Sequence, residues 1–353
     1  MISDKTWSIK LLVLVAVMLG MTGMLTIVID PYFHYHAPLD GLEYPIHNER
    51  YQNNGIVRHF TYDAIITGTS MTQNFKTSEF DHIFDVHSIK VPFSGGSYKE
   101  INNNLRQAVK ANTDIRIILR GLDYGALLEK KDTMRYENYP LYLYDNLLFN
   151  DVEYIWNKTI LLKDTYTVIS YTRDGNKTTT FDEYNNWMSR CTFGKKAVDA
   201  AYDRPGKSEE MLHMTNADYK LLYANLKQNI IELAEKNRQI EFYLFFTPYS
   251  IYYWDSLNQS GELEKQLEAE KKAIEILLDY ENIHLFSFHD DFAMICDLNH
   301  YKDMLHYGES VNSKMLLCMK KADHLLTKEN YTDYYQRIYD FYTTYDYDAL
   351  FEK

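Results

Sequence analysis

Five short apolar runs, separated by amphipathic helical stretches, leave this 353-residue chain few ways to fold. The runs are Ala64 to Thr67, His87 to Phe93, Ile115 to Leu119, Glu241 to Thr247 and Ile283 to Phe288. Each has the length of a strand and is rich in β-branched or aromatic residues. Between them, Ser97-Tyr-Lys-Glu100 is a capping box that opens a helix to about Asn112. A second helix starts at Thr215 or Asn216 and runs through Glu235, with Leu221, Leu222, Leu226, Ile230 and Leu233 on one side. Glu262 to Tyr280 is a charged amphipathic helix, and Val311 to Met319 a further apolar-periodic one. Strands that alternate with helices predict an α/β fold whose parallel sheet is covered on both faces. The expected architecture is a three-layer α/β/α, flavodoxin-like domain with a central parallel sheet of about five strands.

Two stretches stand outside that alternation. Leu11 to Ile29 has no charge, and at about 1.5 Å per residue it is just long enough to cross a hydrocarbon core of roughly 30 Å. Lys5 and Lys10 precede it and Asp30 follows, so the positive-inside rule leaves residues 1–10 in the cytoplasm and everything after the 11–29 anchor outside. A cleaved signal peptide is the competing reading, but no small-x-small site follows the run. Residues 30–50, with the aromatic string Asp30-Pro-Tyr-Phe-His-Tyr-His36, are expected to be a juxtamembrane linker. The second stretch, 125–213, is Tyr- and Asn-rich without clear period, and reads as a cap inserted in an α/β domain made of 51–124 and 214–325. Residues 326–353 are expected to form a Tyr-rich C-terminal helix.

Composition narrows the function. A net charge of -13 argues against nucleic acid, whose phosphates need a basic face. The 32 tyrosines against 4 tryptophans would suit a carbohydrate-binding surface, since the ring stacks while the hydroxyl stays wet, although a simple compositional bias explains them as well. Cys191, Cys296 and Cys318 have no metal spacing and predict no disulfide framework. No cofactor is expected.

The chemistry gathers at two places. Gly68-Thr69-Ser70 follows the first strand, at the sheet's carboxyl end, where ligands of open α/β sheets bind. Asp303-x-x-His306 follows the last strand; its spacing lets the carboxylate fix one imidazole nitrogen and leave the other as a base for a serine hydroxyl. Each has a plainer reading, Ser70 as a helix cap and the Asp-x-x-His as a surface turn. Together they resemble the SGNH (GDSL-type) hydrolases, in particular membrane-anchored cell-surface members similar to the D-alanyl transfer protein of teichoic acid synthesis and the alginate O-acetylation proteins. The resemblance covers roughly 60–125 and 215–320. It implies Ser70 as nucleophile, His306 as general base, Asp303 as its orienter, and an oxyanion hole from the amides of Ser70 and of Gly95 or Gly96.

Two departures stand out. Thr69 replaces the family's usual Asp after the first glycine. The third block, Gly-x-Asn-Asp in the family, is Gly121-Leu122-Asp123 here, without the Asn that supplies an oxyanion donor. Loss of such a donor costs about 2.7–4 kcal/mol in the barrier. Asn74 and Arg120 are the candidate replacements, with Asp123 in a supporting place. The function implied is an extracellular O-acyltransferase or esterase of a bacterial cell envelope. Its partners would be a glycan or teichoic-acid-like polymer as acceptor and a membrane acyl-exporting protein. Two alternatives stand beside it. One is a non-catalytic glycan-binding or assembly protein. The other is a metal-dependent hydrolase using His289, Asp290, Asp291, Asp297, His300, Asp303 and His306.

Overall fold

The computed structural model describes residues 4–145 and 147–352. It is a mixed α/β structure with one six-stranded sheet and an apolar helix near the N-terminus. The strands are β1 (Ala64–Gly68), β2 (Ser88–Pro92), β3 (Ile117–Leu122), β4 (Glu241–Phe246), β5 (Ile283–Ser287) and β6 (Leu325–Leu326). They stand in the order β2-β1-β3-β4-β5-β6. The first five are parallel, and β6 runs antiparallel to β5. Every residue of β1 and β2 is buried, as in parallel sheets covered on both faces. The edge strand β6 was not foreseen, because two residues carry no readable period.

The order places a crevice where chemistry is needed. From β1 the chain goes outward to β2 and then returns past β1 to β3, so the connections leave β1 and β3 in opposite directions. Ligands of open α/β sheets bind in such a crevice, at the strands' carboxyl ends.

Local signals account for the helices. Ser97 and Glu100 exchange their capping bonds at the start of the helix Tyr98–Ala111. Thr215 and Asp218 do the same for Asn216–Leu226, which passes through a π-turn at Lys227–Ile231 into Glu232–Lys236. The helix Ile251–Ser260 was not anticipated; the Ser250 hydroxyl caps it and Gly261, at φ +77°, ends it. At the C-terminus, Tyr334, Ile338 and Tyr342 make the buried stripe of Tyr331–Thr344.

The chain divides into two compact units, one holding residues up to Thr61 with 107–112 and 138–180, the other 62–106, 113–137 and 181 onward. This corrects three boundaries. Residues 30–50 are not a linker: Asp30 is fully buried and accepts bonds from the amides of His34, Tyr35 and His36 and from the Tyr154 hydroxyl. Residues 51–61 belong with them, mostly in the helix Glu49–His59, so the sheet-bearing unit starts at 62 rather than 51. The stretch 125–213 is not one cap, since 138–180 packs in the first unit, where Tyr32, Leu143, Tyr144, Tyr154 and Ile160 share a core.

Within the second unit, a buried polar cluster ties β5 to two helices. Glu270 accepts from the Tyr334 hydroxyl at 2.7 Å and lies 3.3 Å from His289 Nδ1, and both Glu270 and His289 are fully buried. Burial raises the Glu270 carboxyl to about 8 against the bonds from Tyr334 and Ser287, and lowers the His289 imidazole to about 3. The pair is therefore neutral near pH 7, a hydrogen-bonded contact rather than an ion pair. For Glu270, stability is fully present below the ordinary carboxyl range and is lost as pH rises from there through about 8. For His289 it is fully present above the ordinary imidazole range and is lost as pH falls from there toward about 3. Glu270→Gln, which mimics the neutral carboxyl, is expected to remove this loss, worth at most about 1.4 kcal/mol per pH unit. Thermal melts from pH 4 to 9 check it: the variant should match the wild type near pH 4, gain on it as pH rises from the ordinary carboxyl range to about 8, and gain no more above that.

Candidate active site

The approach to Ser70 demands a glycine. Gly68 closes β1 at φ +151°, and a Cβ there would stand 2.6 Å from Thr72 Cγ2. Ser70 then opens a 3-10 turn, Ser70–Thr72, pinned by the Thr72 hydroxyl donating to the Thr69 carbonyl at 2.9 Å. Buried strand behind and tight turn ahead leave Ser70 half-buried with little freedom. Gly68→Ala is expected to move this turn and to lower any Ser70-dependent turnover by at least about tenfold, a near-ångström misplacement being worth up to about a hundredfold; kcat against a model ester, with circular dichroism to verify folding, is the check.

The structure brings Ser70, His306 and Asp303 together. Ser70 Oγ lies 2.9 Å from His306 Nε2. On the other side of the ring, His306 Nδ1 lies 2.8 and 3.0 Å from the two Asp303 oxygens. Asp303 also accepts from the amides of Leu305 and His306, which folds Asp-x-x-His into an Asx-type turn. Its base is an antiparallel bridge between the fully buried Tyr301 and Tyr307. The Met304 carbonyl accepts from the amide and hydroxyl of Ser250, which ties the turn to the segment after β4. Burial alone would raise the Asp303 carboxyl, but bonds from the His306 ring and from the two amides outweigh it and hold the carboxyl below its ordinary range. Asp303 is thus ionised at neutral pH, which orients Nδ1–H toward it and leaves Nε2 free to accept from Ser70.

Trp187 stands edge-on to His306, ring centroids 5.6 Å apart at 89°. Lys302 Nζ lies 4.0 Å from the indole centroid, and Phe193 stacks on it at 6.2 Å. The indole is therefore a wall beside the imidazole more than an open platform. Its backbone N–H donates to Asn74 Oδ1 at 3.2 Å. Only oxygen accepts from an N–H, so this bond fixes which way the Asn74 amide faces. Its NH2 group is left buried with no partner, in a side chain that is 1% exposed. Such an orphan costs about 1–3 kcal/mol, and an unmet donor of this kind is a feature that needs a cause.

Asp123, one residue past β3, accepts from the hydroxyls of Thr69 and Tyr249. Burial raises its carboxyl, and those two bonds oppose the rise. Thr69, just ahead of Ser70, is thus bonded to the residue that follows β3. Gly95, at φ +62°, turns the chain after β2 on open surface, whereas the Gly96 amide is already bonded to the Phe93 carbonyl at 2.7 Å. Arg120 is a correction to expectation. It is fully buried, donates to the Asn229 carbonyl at 2.7 Å in the π-turn, and lies over the Tyr98 ring. Two of its three nitrogens are engaged by the carbonyls of Asn229 and Tyr98, while its Nε is buried without a partner.

Among the described residues, those proposed as metal ligands do not gather into one set. His289 is with Glu270, Asp290 with His324 and Arg337, and Asp291 with Lys314, while Asp297 with His300 and Asp303 with His306 are separate pairs. Among the described residues the one set with ligand atoms within 4.8 Å of each other is His213, Glu264 and Glu268, which includes none of them. Trp187, Lys302 and Tyr249 were not singled out in the sequence; Trp187 lies in the aperiodic insertion, where nothing marks it. Comparison with known proteins finds no matching family model, curated protein or solved structure.

Proposed function

We propose that this chain is a membrane-anchored serine acyl-ester enzyme of the SGNH type, an O-acyltransferase or esterase acting outside the cell on an envelope polysaccharide or teichoic-acid-like polymer. The observation that carries the proposal is the unbroken series Ser70 Oγ, His306 Nε2, His306 Nδ1 and Asp303 carboxylate. In it His306 takes the hydroxyl proton as Ser70 Oγ attacks an ester carbonyl, and the carboxylate steadies the imidazolium that forms. The tetrahedral oxyanion meets the Ser70 amide and the Asn74 amide group, whose free N–H2 stands in for the missing third-block Asn. Collapse expels the alcohol, which takes the proton from His306, and leaves an acyl-Ser70. Water or a polymer hydroxyl then reverses these steps, giving hydrolysis or transfer.

Three further features support the reading. The order β2-β1-β3-β4-β5 is consistent with a flavodoxin-like, doubly wound fold, which would put Ser70 at its switch point. The helix residues Lys5–Ile29 are long and apolar enough to cross a membrane, and Lys5 and Lys10 favour a cytoplasmic N-terminus. Thr69, Asp123 and Tyr249 form a bonded support for the nucleophile turn where the family keeps acidic blocks.

A fluorophosphonate probe with mass-spectrometric mapping tests it. Covalent labelling at Ser70, lost in His306→Ala, is expected. A folded chain that stays unlabelled at Ser70 would sink the enzyme reading and favour a glycan-binding or assembly protein.

A further inference from the structure

The first unit carries an exposed apolar surface that the proposed reaction does not use. Leu147, Leu148 and Phe149 are 64%, 78% and 96% exposed, and Trp156 and Leu162 are 48% and 64% exposed. So many large apolar side chains exposed within one short segment mark an interaction site.

Its place beside the helix Asp4–Ile29 indicates what covers it. The Trp156 indole N–H donates to the Leu19 carbonyl at 2.9 Å. Gly23 packs so closely that a Cβ on it would stand 2.9 Å from Ile155 Cγ2. Nearer the helix end, Tyr154 bonds Asp30, Asp151 bonds His34 and Tyr35, and Asp164 bonds Tyr32. Residues 152–155 thus descend along the apolar helix, turn at Trp156, and return through Ile160–Asp164 and Thr165–Arg173. From Ile29 to Leu19 is about ten residues, roughly 15 Å of rise. A hydrocarbon core takes about 20 residues of helix. Even a span begun at Lys5 ends near residue 24, about 7 Å beyond Leu19. Any placement that buries the apolar helix in a bilayer therefore carries the Trp156 turn below the headgroups.

We infer that residues 147–169 form a second membrane element, a monotopic wedge seated in the outer part of one leaflet beside the anchor. The inference rests on the anchor reading proposed above. Its depth of roughly 7–15 Å overlaps the range of about 5–10 Å for interfacial elements. The Trp156 N–H is already met by the Leu19 carbonyl, so the indole enters the acyl region without an unmet donor. The exposed Lys158 and Lys163 have flexible stems that reach back to lipid phosphates. Asp30, Asp151 and Asp164 bond to His34 and tyrosines near the helix end, so those carboxylates do not face acyl chains. The occupant of the surface is lipid.

Depth-dependent quenching of the full chain in phosphatidylcholine–phosphatidylglycerol nanodiscs tests this. Cys191, Cys296 and Cys318 are replaced by Ser, and one fluorophore-bearing cysteine is placed by Phe149→Cys, Leu162→Cys, Leu14→Cys or Leu317→Cys. Labels at 149 and 162 are expected to be quenched by doxyl lipid and to be several-fold less sensitive to aqueous iodide than the label at 317. Lipid quenching at 14 with iodide-accessible labels at 149 and 162 overturns the wedge and leaves the anchor standing. Absence of lipid quenching at 14 removes the anchor, and the wedge with it. Labels at 149 and 162 shielded from both quenchers mean that protein covers the surface, which also overturns the proposal.

Discussion

Ser70→Ala should lower kcat for a model ester such as p-nitrophenyl acetate by about 10³–10⁶, and His306→Ala should do nearly the same. The two hydrogen-bonded side chains act as one unit, so the double variant is expected to lose no more than either single one. Additive losses would mean that the residues act separately, and the acyl-enzyme scheme would fall. Asp303→Ala leaves both reacting groups in place but removes the partner of Nδ1, so a loss about ten- to a hundredfold smaller than that of Ser70→Ala is expected. Because bonds hold the Asp303 carboxyl below its ordinary range, its ionised form survives into moderately acid solution. Loss of turnover through Asp303 belongs below that ordinary range; a collapse confined to alkaline pH would contradict its role.

Asn74→Ala should lower kcat by about 10²–10³ with little change in KM, the signature of a donor that acts on the transition state. The same substitution removes the acceptor of the Trp187 amide and relieves a buried orphan donor. Those effects on folding oppose each other at about 1 kcal/mol each or a little more, so the melting temperature should move little. A merely structural Asn74 would show the reverse, a lower melting temperature with normal kcat in the folded fraction. The two roles therefore separate on one pair of measurements. An unmet polar group beside a reactive turn is the kind of local cost that folded chains keep where function requires it.

Much of the sheet was legible because its strands are short, apolar and bounded by turn residues. β1 and β4 start where the sequence put them, and β2 and β5 lie within their runs. β3 was cut short at Leu119, since Arg120 and Gly121 look like a strand's end, yet both pair with β4. That error also misplaced Arg120, whose charge is met by the Tyr98 carbonyl and by the Asn229 carbonyl of a π-turn that no sequence pattern announces. The Asp303–His306 pair was readable from spacing alone. Its partner Trp187 was not, because the insertion is held by tertiary contacts between turns rather than by a helical or strand period. The apolar run Leu11–Ile29 lies within the helix Asp4–Ile29, which starts earlier than the run, but Asp30 looked like the first residue of a linker. Its ring of amide and hydroxyl donors comes from residues as distant as Tyr154.

The separation of 236 positions between Ser70 and His306 has a consequence for the chain in synthesis. The serine is made early, in the first strand–turn unit, while the imidazole waits on a turn beyond β5. Such high contact order means that a nascent chain carries an ordinary alcohol, with no base beside it, until nearly all of the sheet has closed. If the proposed reaction holds, acyl donors met on the way would pass it by, and reactivity would switch on as a late folding event.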